Sequence, residues 1–157
     1  MSKALVYITQ EIPEIALTIL EDEFEIKVNN KGRKLTKSEL IEEAKNADAL
    51  LTLLSNQIDA QVMDELSNLK VIANYAVGYN NIDIEAATKR KIVVTNTPDV
   101  LTETTADLTW GLLLAVARRI VGSDKYIRNG KFRGWSPKLL LGREVNHKTL
   151  GIIGLGR

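Results

Sequence analysis

The chain has 157 residues, 45% of them hydrophobic, with 21 basic and 20 acidic side chains and no cysteine. That composition suits a folded protein with a real core and excludes disordered and fibrous classes. It also excludes disulfides, zinc-thiolate sites and cysteine nucleophiles. The near-neutral total hides a split: residues 118–157 hold ten Lys or Arg against two acidic residues, a balance of +8, and everything before them sums to −7. The densest apolar run, Leu112 to Ala117, is far shorter than the ~20 residues a membrane span needs. Gln10, Glu11 and Glu14 break the first apolar stretch before a signal-peptide core can form. A cytoplasmic protein is the expectation.

In chain order, Ala4–Ile8 is a short apolar run and predicts a buried strand. Ile15, Ala16, Ile19 and Leu20 recur at helical spacing, so Ile12–Glu21 predicts a helix with Pro13 in its first turn. Phe24–Val28 alternates as a second strand, and Asn29–Leu35 is a loop. Thr36-Lys37-Ser38-Glu39 matches a capping box opening a helix through Leu40, Ile41 and Ala44. The rhythm repeats: strand Ala49–Leu54, a helix capped by Asp59, strand Lys70–Tyr75, a helix capped by Asp83, and strand Ile92–Thr95. Parallel strands need crossover helices, so this alternation predicts an α/β fold, a doubly wound parallel sheet covered on both faces.

After Thr95 the pattern changes. Thr102–Ile120 is the longest helical segment, apolar on more than one side and therefore expected to be buried on several, with threonines capping its start. Residues 121–147 are basic, glycine-dotted and read as irregular. Leu150–Ile153 predicts another buried strand, running into Gly154-Leu155-Gly156-Arg157.

Three segments could carry chemistry. A strand entering Gly-x-Gly opens dinucleotide-binding βαβ units, where glycines let the backbone approach a pyrophosphate; it is equally a plain strand-terminating turn. Val77-Gly78-Tyr79-Asn80-Asn81-Ile82-Asp83 follows a parallel strand at its carboxyl end, where open α/β sheets bind ligands, and could present backbone N–H groups to an anion or merely connect. Thr102–Asp107 could offer a hydroxyl as well as a cap. His147, the only histidine, sits between Asn146 and Lys148 with no adjoining carboxylate, so it is not assigned a catalytic role. Glu42, Glu43, Asp64 and Glu65 lie on polar helix faces without a ligand cluster, and no metal site is assigned. Thr9-Gln10 after the first strand lacks the acidic residues of a phospho-receiver, and Glu11 with Glu14 opposes a flavin phosphate.

Together these segments resemble the D-isomer-specific 2-hydroxyacid dehydrogenases, in their glyoxylate/hydroxypyruvate reductase branch. The matching stretches are residues 73–83, Val94 to Thr102, Thr105-Ala106-Asp107, and residues 151–157, in the same order and spacing. The resemblance implies a flavodoxin-like substrate domain over residues 1–99, an interdomain helix and dimerisation arm over 100–147, and the first strand of a truncated Rossmann domain over 148–157. It implies hydride transfer from NAD(P)H to a small 2-oxo acid such as glyoxylate or hydroxypyruvate. By the same resemblance Val77 and Gly78 hold the substrate carboxylate through backbone amides, Leu54 lines the substrate pocket, and Trp135 reaches into a partner subunit's active site. Val77, Thr105, Leu155, Gly156 and Arg157 match positions that touch NAD or NADP. The family's catalytic arginine, glutamate and histidine fall beyond Arg157, so no catalytic residue is assigned and the 157-residue chain alone is expected to be inactive. A homodimer is expected, with no nucleic-acid or membrane partner. The alternative is a non-catalytic stand-alone module that binds small carboxylates or dimerises.

Overall fold

The structure, a computed structural model, describes residues 3–156. The chain divides into two compact units, Met1–Pro98 and Asp99–Arg157. In the first, elements follow as β1 (Leu5–Ile8), α1 (Glu14–Glu23), β2 (Glu25–Val28), α2 (Lys37–Glu43), β3 (Ala49–Thr52), α3 (Ala60–Glu65), β4 (Val71–Asn74), α4 (Ile84–Lys89) and β5 (Val93–Thr95). All neighbouring strands pair in parallel, in the order β2-β1-β3-β4-β5. This is the flavodoxin-like doubly wound order, in which ligand crevices open at the carboxyl ends of the strands.

The helix starts follow from side-chain chemistry. Thr36 Oγ1 accepts the Glu39 N–H at 3.3 Å, and the Glu39 carboxylate accepts the Thr36 N–H at 2.9 Å. Asp59 accepts from the Val62 N–H at 3.1 Å and Asp83 from the Ala86 N–H at 2.9 Å. Each pairs an N–H that the helix itself leaves without an acceptor.

Leu50 and Ile72 are completely buried between strands and helices, in one cluster with Tyr7, Leu40, Val62 and Met63. Burial alternates along β3 and β4: Leu50, Thr52, Ile72 and Asn74 are buried, while Ala49, Leu51, Val71 and Ala73 are half-buried. One sheet face therefore carries the core, and the other is only partly covered. Helix α1 contributes little to that cover, with no buried residue and with Ile15 and Ile19 largely exposed.

The second unit holds α5 (Thr102–Ala117) and α6 (Ile120–Arg128), and here the structure corrects several expectations. The long helix stops at Ala117, because Arg119 adopts a left-handed conformation, φ 57°, that breaks the helical path. Of the segment 121–147 expected to be irregular, residues 121–128 are helical, in a helix that begins at Ile120. The position before α5 is Leu101, which makes no side-chain cap; the Thr104 hydroxyl instead donates to the Leu101 carbonyl at 3.2 Å. No residue of α5 is buried, and Leu108, Trp110, Leu112 and Val116 are more than half exposed. Finally, Leu150–Ile153 forms no strand among the described residues, since no other segment offers it a ladder, and Ile153 is fully exposed. Earlier in this unit, Gly142 lies where any Cβ would stand 2.5 Å from the Ala117 carbonyl oxygen, the same oxygen that accepts the Arg143 N–H at 2.7 Å. No helix among the described residues is long and apolar enough to cross a membrane.

Ion pairs tie the first unit together at its surface. The Asp48 carboxylate accepts from Lys70 Nζ at 2.7 Å and from the Leu5 N–H at 3.1 Å, joining the starts of β1, β3 and β4. Lys70 beside Asp48, Arg33 beside Glu39, Lys27 beside Glu43, Lys37 beside Asp59 and Arg90 beside Asp64 all hold these carboxyls below their ordinary range. Burial, then the charges of Glu43 and Glu39, push the Tyr7 phenol from 10.0 up to about 12. A carboxyl lowered by folding lends stability that is present above its unfolded value, about 4, and lost as pH falls through the folded value. A phenol raised by folding lends stability that disappears as pH climbs from 10.0 towards about 12, because only the unfolded form releases its proton there. Thermal unfolding followed by circular dichroism should thus show a plateau, with the midpoint falling below about pH 4 and again above about pH 10.

Candidate functional site

At the carboxyl ends of β1, β3 and β4 the apolar strands finish in polar residues that are themselves buried: Thr9, Thr52, Asn56, Asn74 and Asn81 are each at most 4% exposed. Asn74 and Asn81 face one another as a reciprocal amide pair, each Nδ2 donating to the other's Oδ1 at 3.2 Å. Asn81 Nδ2 also donates to the carbonyls of Leu53 and Asn56, at 3.2 and 3.0 Å. The Thr52 hydroxyl donates to Asn74 Oδ1 at 3.0 Å, and Thr9 Oγ1 to Asn56 Oδ1 at 2.8 Å. A parallel bridge between Ile58 and Ile82 then holds the loops after β3 and β4 side by side.

This network decides how the loop after β4 is presented. Its carbonyls are taken by protein amides: Asn96 Nδ2 donates to Val77 O at 2.8 Å, Asn74 Nδ2 to Gly78 O at 2.7 Å, and the Thr97 N–H to Ala76 O at 2.9 Å. The N–H groups of Val77, Gly78 and Tyr79 donate to no acceptor among the described residues, and all three residues are exposed. Three consecutive free donors on an immobilised backbone suit an anionic oxygen, such as that of a carboxylate. Gly78 is not left-handed, so the loop does not follow the nest pattern that a left-handed glycine would give. What the glycine leaves is space: a Cβ there would stand 3.7 Å from Leu54 Cδ2 and 3.6 Å from Asn80 Oδ1.

Leu54, Val77 and Gly78 are therefore brought together in the first unit. The other candidates lie in the second. The Thr105 N–H bonds to the Leu101 carbonyl at 2.9 Å and its own carbonyl accepts from the Thr109 hydroxyl at 2.8 Å, while the Thr105 hydroxyl has no partner among the described residues. Trp135 is 83% and Leu155 81% exposed. Gly154 and Gly156 are left-handed, φ 80° and 62°, and a Cβ at either would meet nothing, so the backbone there is open to close approach. Arg157 lies outside the described residues. His147 is exposed and makes no side-chain hydrogen bond among them.

The family model of the D-isomer specific 2-hydroxyacid dehydrogenase catalytic domain matches residues 6–147. The chain belongs to this family. Among its dehydrogenase relatives, the glyoxylate reductase of Pyrococcus horikoshii is 52% identical over 159 residues, covering 99% of this chain and 48% of that enzyme. The glyoxylate reductase of Korarchaeum cryptofilum is 49% identical over 156 residues, with 99% and 47% covered. A crystal structure of a Thermus thermophilus protein superposes with a TM-score of 0.84 at 48% identity, covering 88% of this chain and 45% of that one. The NADPH-dependent glyoxylate/hydroxypyruvate reductase of Sinorhizobium meliloti, solved with NADP and malonate, gives a TM-score of 0.80 at 29% identity, with 99% and 47% covered. The chain spans about half the length of the curated dehydrogenases it matches.

Sequence reasoning located the loop but missed the amides beneath it. Thr52 and Asn74 are the polar residues that interrupt the otherwise apolar runs Ala49–Leu54 and Val71–Val77, and that is the available signal. Replacing Asn81 with Ala strands the Leu53 and Asn56 carbonyls and half of the Asn74 amide. Chemical denaturation should show a loss of about 2–3 kcal/mol, whereas Asn80→Ala, at an exposed position, should stay within about 0.5 kcal/mol of the parent.

Proposed function

We propose that this chain is the substrate-holding part of an NAD(P)H-dependent reductase of small 2-oxo acids, glyoxylate or hydroxypyruvate being the best-fitting substrates. The observation that carries this reading is the row of unpaired N–H groups at Val77, Gly78 and Tyr79, with Leu54 packed beside Gly78. The donors of Val77 and Gly78 take the substrate carboxylate, and Leu54 supplies an apolar wall that selects a small acid. Asn74 and Asn96 are positioning residues that hold the carbonyls of Gly78 and Val77 so that the loop's N–H groups stay free, and Asn81 fixes Asn74 and the turn after β3, with no reorganisation needed when an anion arrives.

A nicotinamide cofactor supplies the hydride when bound. The residues offered to it in this reading, by their match to family positions, are Val77, Thr105, Leu155, Gly156 and Arg157. The open, left-handed glycines 154 and 156 are compatible with a backbone that approaches a pyrophosphate. Reducing a 2-oxo acid also demands a cation near the carbonyl and a tuned proton donor; in this reading both belong to the half of the family's length that this chain does not span. Trp135, 83% exposed, and the basic segment around it serve a homodimer contact in the same reading.

The test is amide NMR of the 157-residue chain titrated with glyoxylate. Saturable shifts at Val77, Gly78 and Tyr79 in the millimolar range are expected. Gly78→Ala, whose Cβ sits at ordinary contact distances, should fold normally yet bind several-fold more weakly. Shifts confined to other parts of the chain would overturn the assignment of the loop. NADH or NADPH oxidation by the same purified chain with glyoxylate would overturn the placing of the catalytic groups beyond it.

A further inference from the structure

Asn56 presents an unused donor. Its Oδ1 accepts from the Leu53 N–H at 3.1 Å and from Thr9 Oγ1 at 2.8 Å, and because the Leu53 group can only donate, the oxygen end of the amide is assigned without ambiguity. The Nδ2 end has no acceptor among the described residues although Asn56 is only 2% exposed. No side-chain nitrogen or oxygen sealed from solvent lacks a partner among those residues, so this nitrogen must reach open space. A largely buried amide N–H₂ without a protein acceptor calls for something polar beside it. Asn56 is one of the residues that line a cavity of about 250 Å³ between the start of α2 and the turn after β3.

The walls of that cavity specify a chemistry. Leu35 and Leu40 form a buried apolar floor, and Gln57 stands at its side with Asn56. Two lysines line it. Lys37 is paired with Asp59, whereas the Lys34 ammonium has no carboxylate partner among the described residues. Thr36 also borders the space, but its hydroxyl is already bound to Glu39. The lining thus includes a lysine without a carboxylate partner among the described residues, an asparagine with an unpaired amide donor, and two buried leucines. That combination matches a small acid with an acceptor head and a short hydrocarbon body.

We propose that this cavity is a second carboxylate site, separate from the Val77–Tyr79 donors, which takes a short-chain aliphatic carboxylate between Lys34 and the Asn56 amide. The site does not depend on the proposed reductase activity. It shares the Leu53–Gln57 turn with the first site, since the Asn56 carbonyl accepts from Asn81.

Sodium butyrate is the probe, titrated into the full chain with butylammonium chloride at matched ionic strength as the control. The expected result is a saturable shift of the Asn56 side-chain amide protons, with the amides of Lys34, Leu35 and Gln57, that butylammonium does not reproduce. Lys34→Gln, an exposed change that leaves the fold intact, should raise the apparent Kd at least about fivefold, and Lys34→Arg should restore it. Asn56→Asp keeps the acceptor oxygen but removes the donor and should abolish binding; if that variant does not fold, Gln57→Leu with Lys34→Gln decides the matter. No response at Asn56 (water only in the cavity), shifts restricted to Val77–Tyr79, an equal response to butylammonium, or a Kd unchanged by Lys34→Gln would each overturn the proposal.

Discussion

The reciprocal amide contact between Asn74 and Asn81 is the constraint on which the functional end of this molecule depends. Where parallel strands end, their ladder ends too, and the following loops must satisfy backbone carbonyls without a neighbouring strand. Here side-chain amides take that role. Asn81 binds two carbonyls of the turn after β3 while it binds Asn74, and Asn74 holds the carbonyl of Gly78. Burying so many polar groups is tolerable only because nearly all are paired, and once paired they leave the loops very little freedom. The exposed N–H groups of residues 77–79 are the complement of that arrangement: the carbonyls are held by the protein, and the donors are left over.

The rest of the first unit keeps that end in place. The helices α2, α3 and α4 begin at side-chain caps and bury their apolar residues in the cluster around Leu50 and Ile72. At the opposite end of the strands Asp48 ties three of them together through Leu5 and Lys70. Arg90 reaches from the end of α4 to the Asp64 carboxylate at 2.8 Å, fixing the two helices that follow the ligand-facing loops. These exposed pairs are individually weak. Their contribution is geometric, because each one joins elements whose loops meet at the same end of the sheet.

The second unit shows a different balance. It places tryptophans, leucines and valines on its surface, with α5 burying nothing and Trp135 almost fully exposed. Apolar surface on this scale is characteristic of segments that make contacts with other protein.

Local chemistry makes much of the fold legible in the sequence itself. The five strands, the four helices between them and the caps at Thr36, Asp59 and Asp83 followed from periodicity and side-chain type, because each of those signals acts within a few residues. The loop at Val77–Gly78 was legible for the same reason, as a glycine after an apolar run. What needed the folded chain was every feature made by residues far apart in sequence. The amide pair joins positions on either side of a loop, and the Thr9 hydroxyl meets the Asn56 oxygen across 47 positions of sequence. The break at Arg119 needed the backbone itself, since arginine carries no propensity for a left-handed turn. Strand formation at Leu150–Ile153 depends likewise on a neighbour to complete the ladder. An apolar run states that it can pair; only tertiary structure decides whether it does.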